Sequence, residues 1–370
     1  MSRAQLFAIV ALAGAAFFLF RSPDPAELMA SCVPKEGVTP LCGFKNPEDA
    51  VVLPNGKIIV SQMGNLEESS PGSLVLFDVE TRIHTPLFGH GYASDNLGDN
   101  SWGNVDCVDN PREFLSPHGI SLLKRADDRL QLMVVNHGGR ESVEFFEVLE
   151  DEKGISTVWR GCVKAENKEF FNAVAALPDG GFIVSSMYAR KGPEIMGLHF
   201  GGYKALMGMD SGYLAEWHSW QEMSIVPGSA GAFPNGVLVS NDGRFVYQNL
   251  YGSDEVRKLD RRSGKVVASV EVVKPDNITF DDKGLLLVAS QTVSVMELKS
   301  CVDKPEETCL LPFDIVQIDP ETMTSKVVFT QEGPPMLHQP CYPSHCQPLQ
   351  PYCLLVCLLL VRPMPLVVLV

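Results

Sequence analysis

Short segments in which apolar and polar residues alternate recur along most of the chain. Between about residues 40 and 330 they are rich in β-branched residues and end at Pro-Asn-Gly, Pro-Asp-Gly, Asn-Asp-Gly or Asp-Lys-Gly steps, with no long amphipathic helix between them. Alternation with a period of two is typical of half-buried strands, and these steps carry the residues that hairpin turns require. The pattern predicts an all-β fold and argues against an α/β fold.

Four of these strand–turn–strand units share a further feature. In each of them an oxygen-bearing side chain stands eight residues before the turn glycine. The four pairs are Glu48 and Gly56, Asn172 and Gly180, Asn235 and Gly243, and Asp276 and Gly284. A recurring unit of this kind predicts the blades of a β-propeller, in which residues of equal phase on the inner strands point at one central axis.

The converging oxygen atoms predict a metal site on that axis. Together with the neighbouring Asn277, the set contains carboxylates and amides but no cysteine or histidine, which suits a hard cation and favours calcium over zinc. The alternative for each position taken singly is a turn cap, which is the commonest role of such residues near turns. A cap normally lies within two or three positions of its turn, however, so the spacing favours the metal site.

Two histidines occur in contexts that suit catalysis. His118 precedes a strand that turns ten residues later, at about Asp128, and therefore lies near the phase of the oxygen-bearing residues. His137 ends the following strand and is predicted to approach His118. A histidine beside a metal site can act as a general base, and a second one can orient it and share its proton. The alternative is a structural role for each histidine.

The first 30 residues predict a signal or anchor segment. After Arg3, an apolar run of fifteen residues extends from Leu6 to Phe20, long enough for a secretory signal and short for a membrane span. We expect a hydrophobic helix here and export to an extracellular, periplasmic or lumenal location. No small-x-small cleavage site follows the run, so the segment is expected to remain as a membrane anchor. Lipidation at Cys32 is the alternative.

Residues 31–333 are predicted to form the propeller, and the ten cysteines of the chain predict disulfides in an exported protein. The cysteines of this region, whose pairing stays open, are Cys32, Cys42, Cys107, Cys162, Cys301 and Cys309. Buried unpaired thiols are the alternative. Residues 334–370 contain no strand–turn–strand unit, so we expect an atypical tail outside any blade and an incomplete last blade. An altered C-terminus is one explanation of this tail.

The charge of the chain limits its partners. A formal net charge of −15, with no basic cluster, argues against a nucleic-acid partner, because phosphates require lysine and arginine. A small-molecule ligand is expected instead. Nothing in the sequence indicates a protein partner.

Several motifs together resemble a known family. In chain order they are NPEDAVVLPNG, SPHGISLL, VVNHGGRESVEFFEV, FFNAVAALPDG, FPNGVLVSNDGRFVY and KPDNITFDDKG. In order and rough spacing they resemble the serum paraoxonase/arylesterase family, within the wider gluconolactonase-like six-bladed propellers. The resemblance covers about residues 40 to 330. It implies six blades around calcium and a calcium-dependent hydrolase of lactones and aryl esters, in some members also of organophosphates.

The resemblance also implies roles for individual residues. The implied ligands of a catalytic calcium are Glu48, Asn172, Asn235, Asp276 and Asn277, and the implied histidine dyad is His118 and His137. Asp49 and the carbonyl group of Ile120 match ligands of a second, structural calcium. The family places an aspartate directly after the asparagine of FFNAV, where this chain has Ala173, so the second calcium is expected to be absent or weak. Two other functions remain open: a gluconolactonase-like sugar lactonase, and a non-catalytic propeller pinned by calcium that serves as a binding scaffold.

Overall fold

The computed structural model is built mainly from five four-stranded antiparallel sheets, arranged as the blades of a β-propeller. The structure describes residues 39–41, 43–64, 71–91, 101–166, 169–190, 193–195, 198–219, 221–292, 312–331, 357–359 and 367–369. The all-β prediction is confirmed. The predicted N-terminal helix lies outside the described residues, and within them no helix is long and apolar enough to cross a bilayer.

The first two blades are built from consecutive strands. The first blade comprises β2 (Pro47–Val52), β3 (Ile58–Gln62), β4 (Ser73–Asp78) and β5 (Ile83–Gly89). The second blade comprises β6 (Pro117–Lys124), β7 (Leu130–Asn136), β8 (Ser142–Asp151) and β9 (Gly154–Lys164). Each strand pairs with the next one in the chain, as hairpin connections dictate.

The third blade is interrupted by a short insertion. The blade comprises β10 (Phe171–Ala176), β11 (Phe182–Ser186), β14 (Tyr213–Trp217) and β15 (Ser224–Ile225). The insertion comprises the hairpin of β12 (Glu194–Ile195) and β13 (Leu198–His199), followed by helix α1 (Phe200–Leu206).

The fourth and fifth blades again use consecutive strands. The fourth comprises β16 (Pro234–Val239), β17 (Phe245–Leu250), β18 (Glu255–Asp260) and β19 (Lys265–Glu271). The fifth comprises β20 (Pro275–Phe280), β21 (Leu286–Gln291), β22 (Phe313–Ile318) and β23 (Ser325–Gln331). In all five blades the first strand lies innermost, and these strands contact one another in the order β2, β6, β10, β16 and β20.

A three-stranded sheet lies between the fifth and first blades. It contains β1 (Thr39–Leu41), β24 (Cys357–Leu359) and β25 (Val367–Leu369), with β1 parallel to β25 and β24 beside both β2 and β20. The prediction of six blades is therefore wrong, because the described residues form five four-stranded blades. The reason is that no further unit with a carboxylate or amide eight residues before a turn glycine follows Gly284. Strands β22 and β23 complete the fifth blade, and only these short strands occupy the sixth position.

The hydrophobic core lies between neighbouring blades. Between the first and second blades, for example, Phe88 and Phe146 pack edge to face with ring centroids 4.8 Å apart. Between the second and third, Phe145 packs against the stacked rings of Phe182 and Trp217. Similar apolar clusters join the third blade to the fourth and the fourth to the fifth. This packing fixes the angle between blades and therefore the spacing of the inner strands.

One disulfide is present among the described residues. Cys107, in the segment between the first and second blades, is bonded to Cys162 of β9. The backbone approaches closely here, since a Cβ atom on Gly103 would lie 2.3 Å from the backbone of Cys162. The prediction of disulfides is confirmed for this pair. Of the other cysteines named above, Cys32, Cys42, Cys301 and Cys309 lie outside the described residues.

We expect the double variant Cys107→Ala/Cys162→Ala to be less stable than the parent. The bond closes a loop with a sequence separation of 55 residues, for which the chain-entropy model gives about 4 kcal/mol. Urea unfolding under non-reducing conditions would measure the loss, with the parent under reducing conditions as the control. An unchanged midpoint would show that this bond does not stabilise the fold.

Candidate functional site

Each inner strand carries one chemically distinctive side chain at its second position. In every one of the five, the pairing register shifts at this residue, so each strand has a β-bulge there. The residues at the bulges are Glu48, His118, Asn172, Asn235 and Asp276. A bulge takes a residue out of the ladder and turns its side chain to a new direction. The five side chains thus surround one end of the central axis, and we refer to them as the ring.

The spacing to the turn follows from backbone geometry. The turn glycines Gly56, Gly180, Gly243 and Gly284 all have positive φ, and Asp128 takes this conformation in the second blade. Strand β6 contains eight residues, whereas the other inner strands contain six. Its hairpin is therefore two residues longer, which is why His118 lies ten residues before its turn and not eight. His118 therefore occupies the same strand position as the four oxygen-bearing residues, despite its longer distance from the turn.

A proline immediately precedes four of the ring residues, and this signal was missed in the sequence pattern. The prolines are Pro47, Pro117, Pro234 and Pro275, each the first residue of its strand. Because proline cannot donate a hydrogen bond to the ladder, within sheets it is confined to edge strands, bulges and the first residues of strands. Three of the residues before these prolines have positive φ: Asn46, Phe233 and Lys274. The Pro-x start of a strand could have located His118 as well as the oxygen ligands.

Glu48 and Asp276 are two buried carboxylates without enough donors to satisfy them. Each has a relative exposure of 1%. Oε1 of Glu48 and Oδ1 of Asp276 lack a hydrogen-bond partner, and Oε2 of Glu48 lies 3.0 Å from His118 Nε2. Burial, followed by the charge of Glu48, raises the pKa of Asp276 to about 7. Buried, unpaired charge is strongly unfavourable, so this arrangement calls for a cation between the two carboxylates.

Asp276 is held in place by residues that the sequence analysis did not single out. Gln291 donates from Nε2 to Asp276 Oδ2, and Tyr251 donates its hydroxyl proton to Gln291 Oε1 at 2.9 Å. Asn249 donates its amide to the backbone carbonyl of Asp276. Gln291 and Asn249 lie on the second strands of their blades, so only the assembled sheets bring them to the site.

The three predicted amide ligands adjoin these carboxylates. Asn235 hydrogen-bonds Asp276, and its own Oδ1 is buried without a partner. Asn172 donates from Nδ2 to Met187 Sδ at 3.3 Å, which orients its amide. Asn277 donates from Nδ2 to the backbone carbonyl of Glu48 at 2.8 Å and so links the fifth blade directly to the first.

The donor set fits a hard cation. It consists of two carboxylates and neutral amide oxygens, and three of the predicted ligands carry buried oxygens with no protein partner. No group of three or more histidine, cysteine, aspartate or glutamate side chains arranged to hold a metal was found within the described ranges. The predicted ligand set contains only two carboxylate side chains, because asparagine amides supply its remaining oxygens.

The two predicted histidines are hydrogen-bonded to each other. His118 Nδ1 lies 2.9 Å from His137 Nε2, and His118 Nε2 lies 3.0 Å from Glu48 Oε2. Burial alone would lower the pKa of His118, but the charge of Glu48 and a hydrogen bond to it outweigh burial and raise it. The structure therefore joins the histidine pair to the carboxylate pair in one continuous cluster.

The residues of the second predicted metal site do not fit a cation. Asp49 accepts hydrogen bonds from the backbone N–H groups of Ala50 and Ile120, each at 2.8 Å and each to a different carboxylate oxygen. Ala173, Asp49 and Ile120 line a cavity of about 380 Å³ along the axis, where Ala173 presents only a methyl group. Main-chain donors thus stabilise Asp49 without a metal. The aspartate that the family has at the position of Ala173 is missing.

Four aromatic side chains form an arc beside the ring. Ring centroids are separated by 5.4 Å from Phe170 to Tyr188, 5.9 Å from Tyr188 to Phe233 and 5.5 Å from Phe233 to Tyr251. The arc begins at His137, which packs against Phe170 at 4.9 Å. It ends at Tyr251, which binds Gln291. An apolar, aromatic wall therefore runs along one side of the site, from the histidine pair to the support of Asp276.

A family model described as arylesterase matches residues 44–336, which include every predicted site residue. The chain belongs to the arylesterase family. Curated relatives include serum paraoxonase/arylesterase 1 of Homo sapiens, 25% identical over 207 residues that cover 54% of this chain and 52% of that protein. The enzyme of the same name from Mus musculus is 22% identical over 275 residues, with coverage of 71% and 69%.

The chain thus spans about half the length of the human relative that it matches. Among solved structures, a luciferin-regenerating enzyme gives a TM-score of 0.43 at 12% identity, covering 78% of this chain and 76% of that chain. The family assignment confirms the resemblance inferred from the motifs.

In the presence of a chelator, we expect the free energy of unfolding of this protein to fall as pH rises from about 4 to about 7. The folded-state pKa of Asp276, about 7, lies above its reference value of 3.8, so ionising the buried carboxylate disfavours the folded state across this window. Urea unfolding across this range would measure the slope. Asp276→Asn should flatten it, whereas Asp210→Asn, at an exposed position, should not. Equal slopes in the two variants would contradict the assignment.

Proposed function

We propose that this protein is a calcium-dependent hydrolase of lactones and aryl esters. The observation that carries the proposal is the cluster in which two buried carboxylates with unsatisfied oxygens adjoin a hydrogen-bonded histidine pair. Membership of the arylesterase family and the names of the relatives support the reaction class.

Calcium would be held by the side chains of Glu48, Asn172, Asn235, Asp276 and Asn277. Two carboxylates balance the charge of one divalent cation, and the amides complete an oxygen-only ligand set. When bound, calcium would act as a Lewis acid toward the carbonyl oxygen of the substrate. We propose one calcium per chain, because the site around Asp49 has Ala173 in place of the family's aspartate and Asp49 already accepts two main-chain hydrogen bonds.

His118 is proposed as the general base. It is the imidazole of the ring, the side chain that most often serves as a general base, and its exposure of 9% leaves it next to the ligand atoms rather than in bulk water. His118 would remove a proton from a water molecule as that water attacks the ester or lactone carbonyl. His137, which is 2.9 Å away, would hold the ring of His118 and share the proton.

The aromatic arc supports an aryl or otherwise apolar substrate. Phe170 and Phe233 each lie two positions before a ring residue, and Tyr188 follows Met187, which contacts Asn172. An acyl or aryl group bound at the ring would therefore lie against aromatic side chains.

The disulfide is typical of exported proteins and supports the proposal that the chain is exported.

A non-catalytic propeller pinned by calcium is the competing function. Such a pin requires the oxygen ligands but not a linked histidine pair whose Nε2 faces a ligand carboxylate. Hydrolysis of phenyl acetate and of a γ- or δ-lactone, with calcium and with chelator, distinguishes the two. We expect turnover that chelator abolishes and calcium restores. Binding of calcium without turnover of any of these substrates would leave the scaffold function.

We expect Asn172→Ala to lose activity while the protein remains folded. One oxygen ligand is removed, and loss of a single preorganised electrostatic contact typically lowers kcat by about 10²- to 10³-fold. Phenyl acetate hydrolysis and far-UV circular dichroism would measure the two properties. Asn55→Ala, at an exposed turn position, is the matched control and should keep activity. Parent-like turnover in Asn172→Ala would remove this residue from the site.

We expect Tyr188→Ala to weaken the binding of aryl substrates selectively. An aromatic pair contributes about 0.5–1.5 kcal/mol beyond area burial, so KM for phenyl acetate should rise by about two- to tenfold. KM for a small aliphatic lactone should change less. Steady-state kinetics on both substrates would test this, and an equal change for both would show that the arc does not contact the aryl group.

A further inference from the structure

Glu141 extends the histidine pair to a third residue. It lies in the loop between β7 and β8, and both of its carboxylate oxygens contact His137 Nδ1, at 3.0 and 3.1 Å. Its side chain is 11% exposed. No role was assigned to it from the sequence motifs, and it is neither a proposed calcium ligand nor a member of the histidine dyad.

The loop that carries Glu141 is held in one conformation. Asn136 accepts hydrogen bonds from the N–H groups of Ser116 and Gly138 and donates to the carbonyls of Gly138 and Arg140. Gly138 tolerates no side chain, since a Cβ atom there would lie 1.5 Å from the carbonyl oxygen of Phe114. The backbone carbonyl of Glu141 accepts from Ala165 N–H at 2.9 Å. His137 and Glu141 therefore face each other from a rigid frame.

Two further groups fix the Glu141 carboxylate. Phe171 N–H donates to Oε1 at 2.8 Å, and Arg190 Nη1 donates to Oε2 at 3.3 Å. Phe171 directly precedes the ring residue Asn172, and Arg190 also lies over the ring of Phe170 at 5.1 Å. Glu141 thus bridges the second and third blades.

A carboxylate at this place fixes the proton at one end of the hydrogen-bond chain. An ionised carboxylate only accepts, so His137 Nδ1 must carry a proton and donate it to Glu141. Neutral His137 then accepts at Nε2, which requires His118 to donate from Nδ1. Neutral His118 consequently has its lone pair at Nε2, which faces the ligand ring. Glu48 Oε2 lies 3.0 Å from this nitrogen and would itself hold a proton there, so this direction requires the Glu48 carboxylate to be bound to the proposed calcium. In the opposite direction, His118 Nε2 would carry the proton and could not act as a base.

We propose that Glu141 is a positioning residue that orients the His137–His118 pair, so that His118 presents an unprotonated Nε2 to the reacting water. The proposal rests on the proposed hydrolase function. In the step concerned, a proton leaves water for His118 Nε2 as the water oxygen bonds to the carbonyl carbon and the carbonyl electron pair moves to oxygen. The Nδ1 proton of His118 passes to His137 Nε2, and the resulting imidazolium is paired with Glu141. The proton returns by the same path to the alkoxide or phenoxide when the carbon–oxygen bond of the ester breaks.

The decisive variant is Glu141→Gln, which keeps the size of the side chain and removes its charge. We expect kcat for phenyl acetate to fall by about 100-fold, the lower end of the range for loss of a general base. KM and the calcium dissociation constant should stay within about threefold of the parent, because the ring residues are intact and threefold is under 0.7 kcal/mol. Glu141→Asp, which restores the charge, should recover part of the lost kcat.

A spectroscopic measurement reports on orientation independently of turnover. In histidine ¹⁵N-labelled protein, the parent should show His137 protonated at Nδ1 and His118 protonated at Nδ1 in the calcium-loaded state. In Glu141→Gln we expect this preference to be lost. The matched control is Glu147→Gln, which breaks a similar carboxylate–arginine pair, with Arg160, in the same blade. It should leave both the tautomers and kcat unchanged.

Unchanged tautomers and parent-like kcat in Glu141→Gln would overturn the proposal. A fall in kcat that is matched by the same loss of calcium affinity, or that Glu147→Gln reproduces, would overturn it too, because Glu141 would then be a structural residue. If the parent hydrolyses none of the test substrates, the proposed hydrolase function fails. The tautomers of the parent and the variant still decide whether Glu141 orients the pair.

Discussion

The β-bulge at the second residue of each inner strand is the constraint on which the site depends. Regular strands around an axis would alternate their side chains between the two faces of each blade. The bulge releases one residue per blade from that alternation, and neighbouring blades hold the released residues at one height. Apolar packing between blades, such as Phe145 on Trp217, keeps the inner strands at this spacing. Chemistry at the axis therefore depends on packing that is remote from it.

The electrostatics of the ring follow from this geometry. Two carboxylates are brought together in a buried environment in which Gln291 and Asn235 satisfy Asp276 only in part and Glu48 pairs with His118 Nε2 at 3.0 Å. Such a cluster is unfavourable by itself, and the proposed cation would make it favourable. The cavity near Asp49 differs, because two main-chain N–H groups satisfy that carboxylate.

The histidine pair is embedded in a longer chain of polar contacts. It runs from Glu48 through His118 and His137 to Glu141 and Arg190, and it crosses from the first blade to the third. Both carboxylates can only accept, Glu141 from His137 Nδ1 and Glu48 at His118 Nε2. The aromatic arc flanks this chain and gives the site one polar and one apolar side. This polarity suits a substrate with an ester or lactone group attached to an apolar part.

The sequence by itself determined the parts that depend on local order. The turn glycines impose hairpins, and the eight-residue spacing places Glu48, Asn172, Asn235 and Asp276 in one phase, because both depend only on neighbouring residues and on the period of a strand. Tertiary structure decided the number of blades, since pairing of β1 with β25 joins residues far apart in the chain. It also decided which residues support the site. No pattern in the sequence gives a role to Gln291 or Glu141, and their roles arise only where folding brings their side chains to Asp276 and His137.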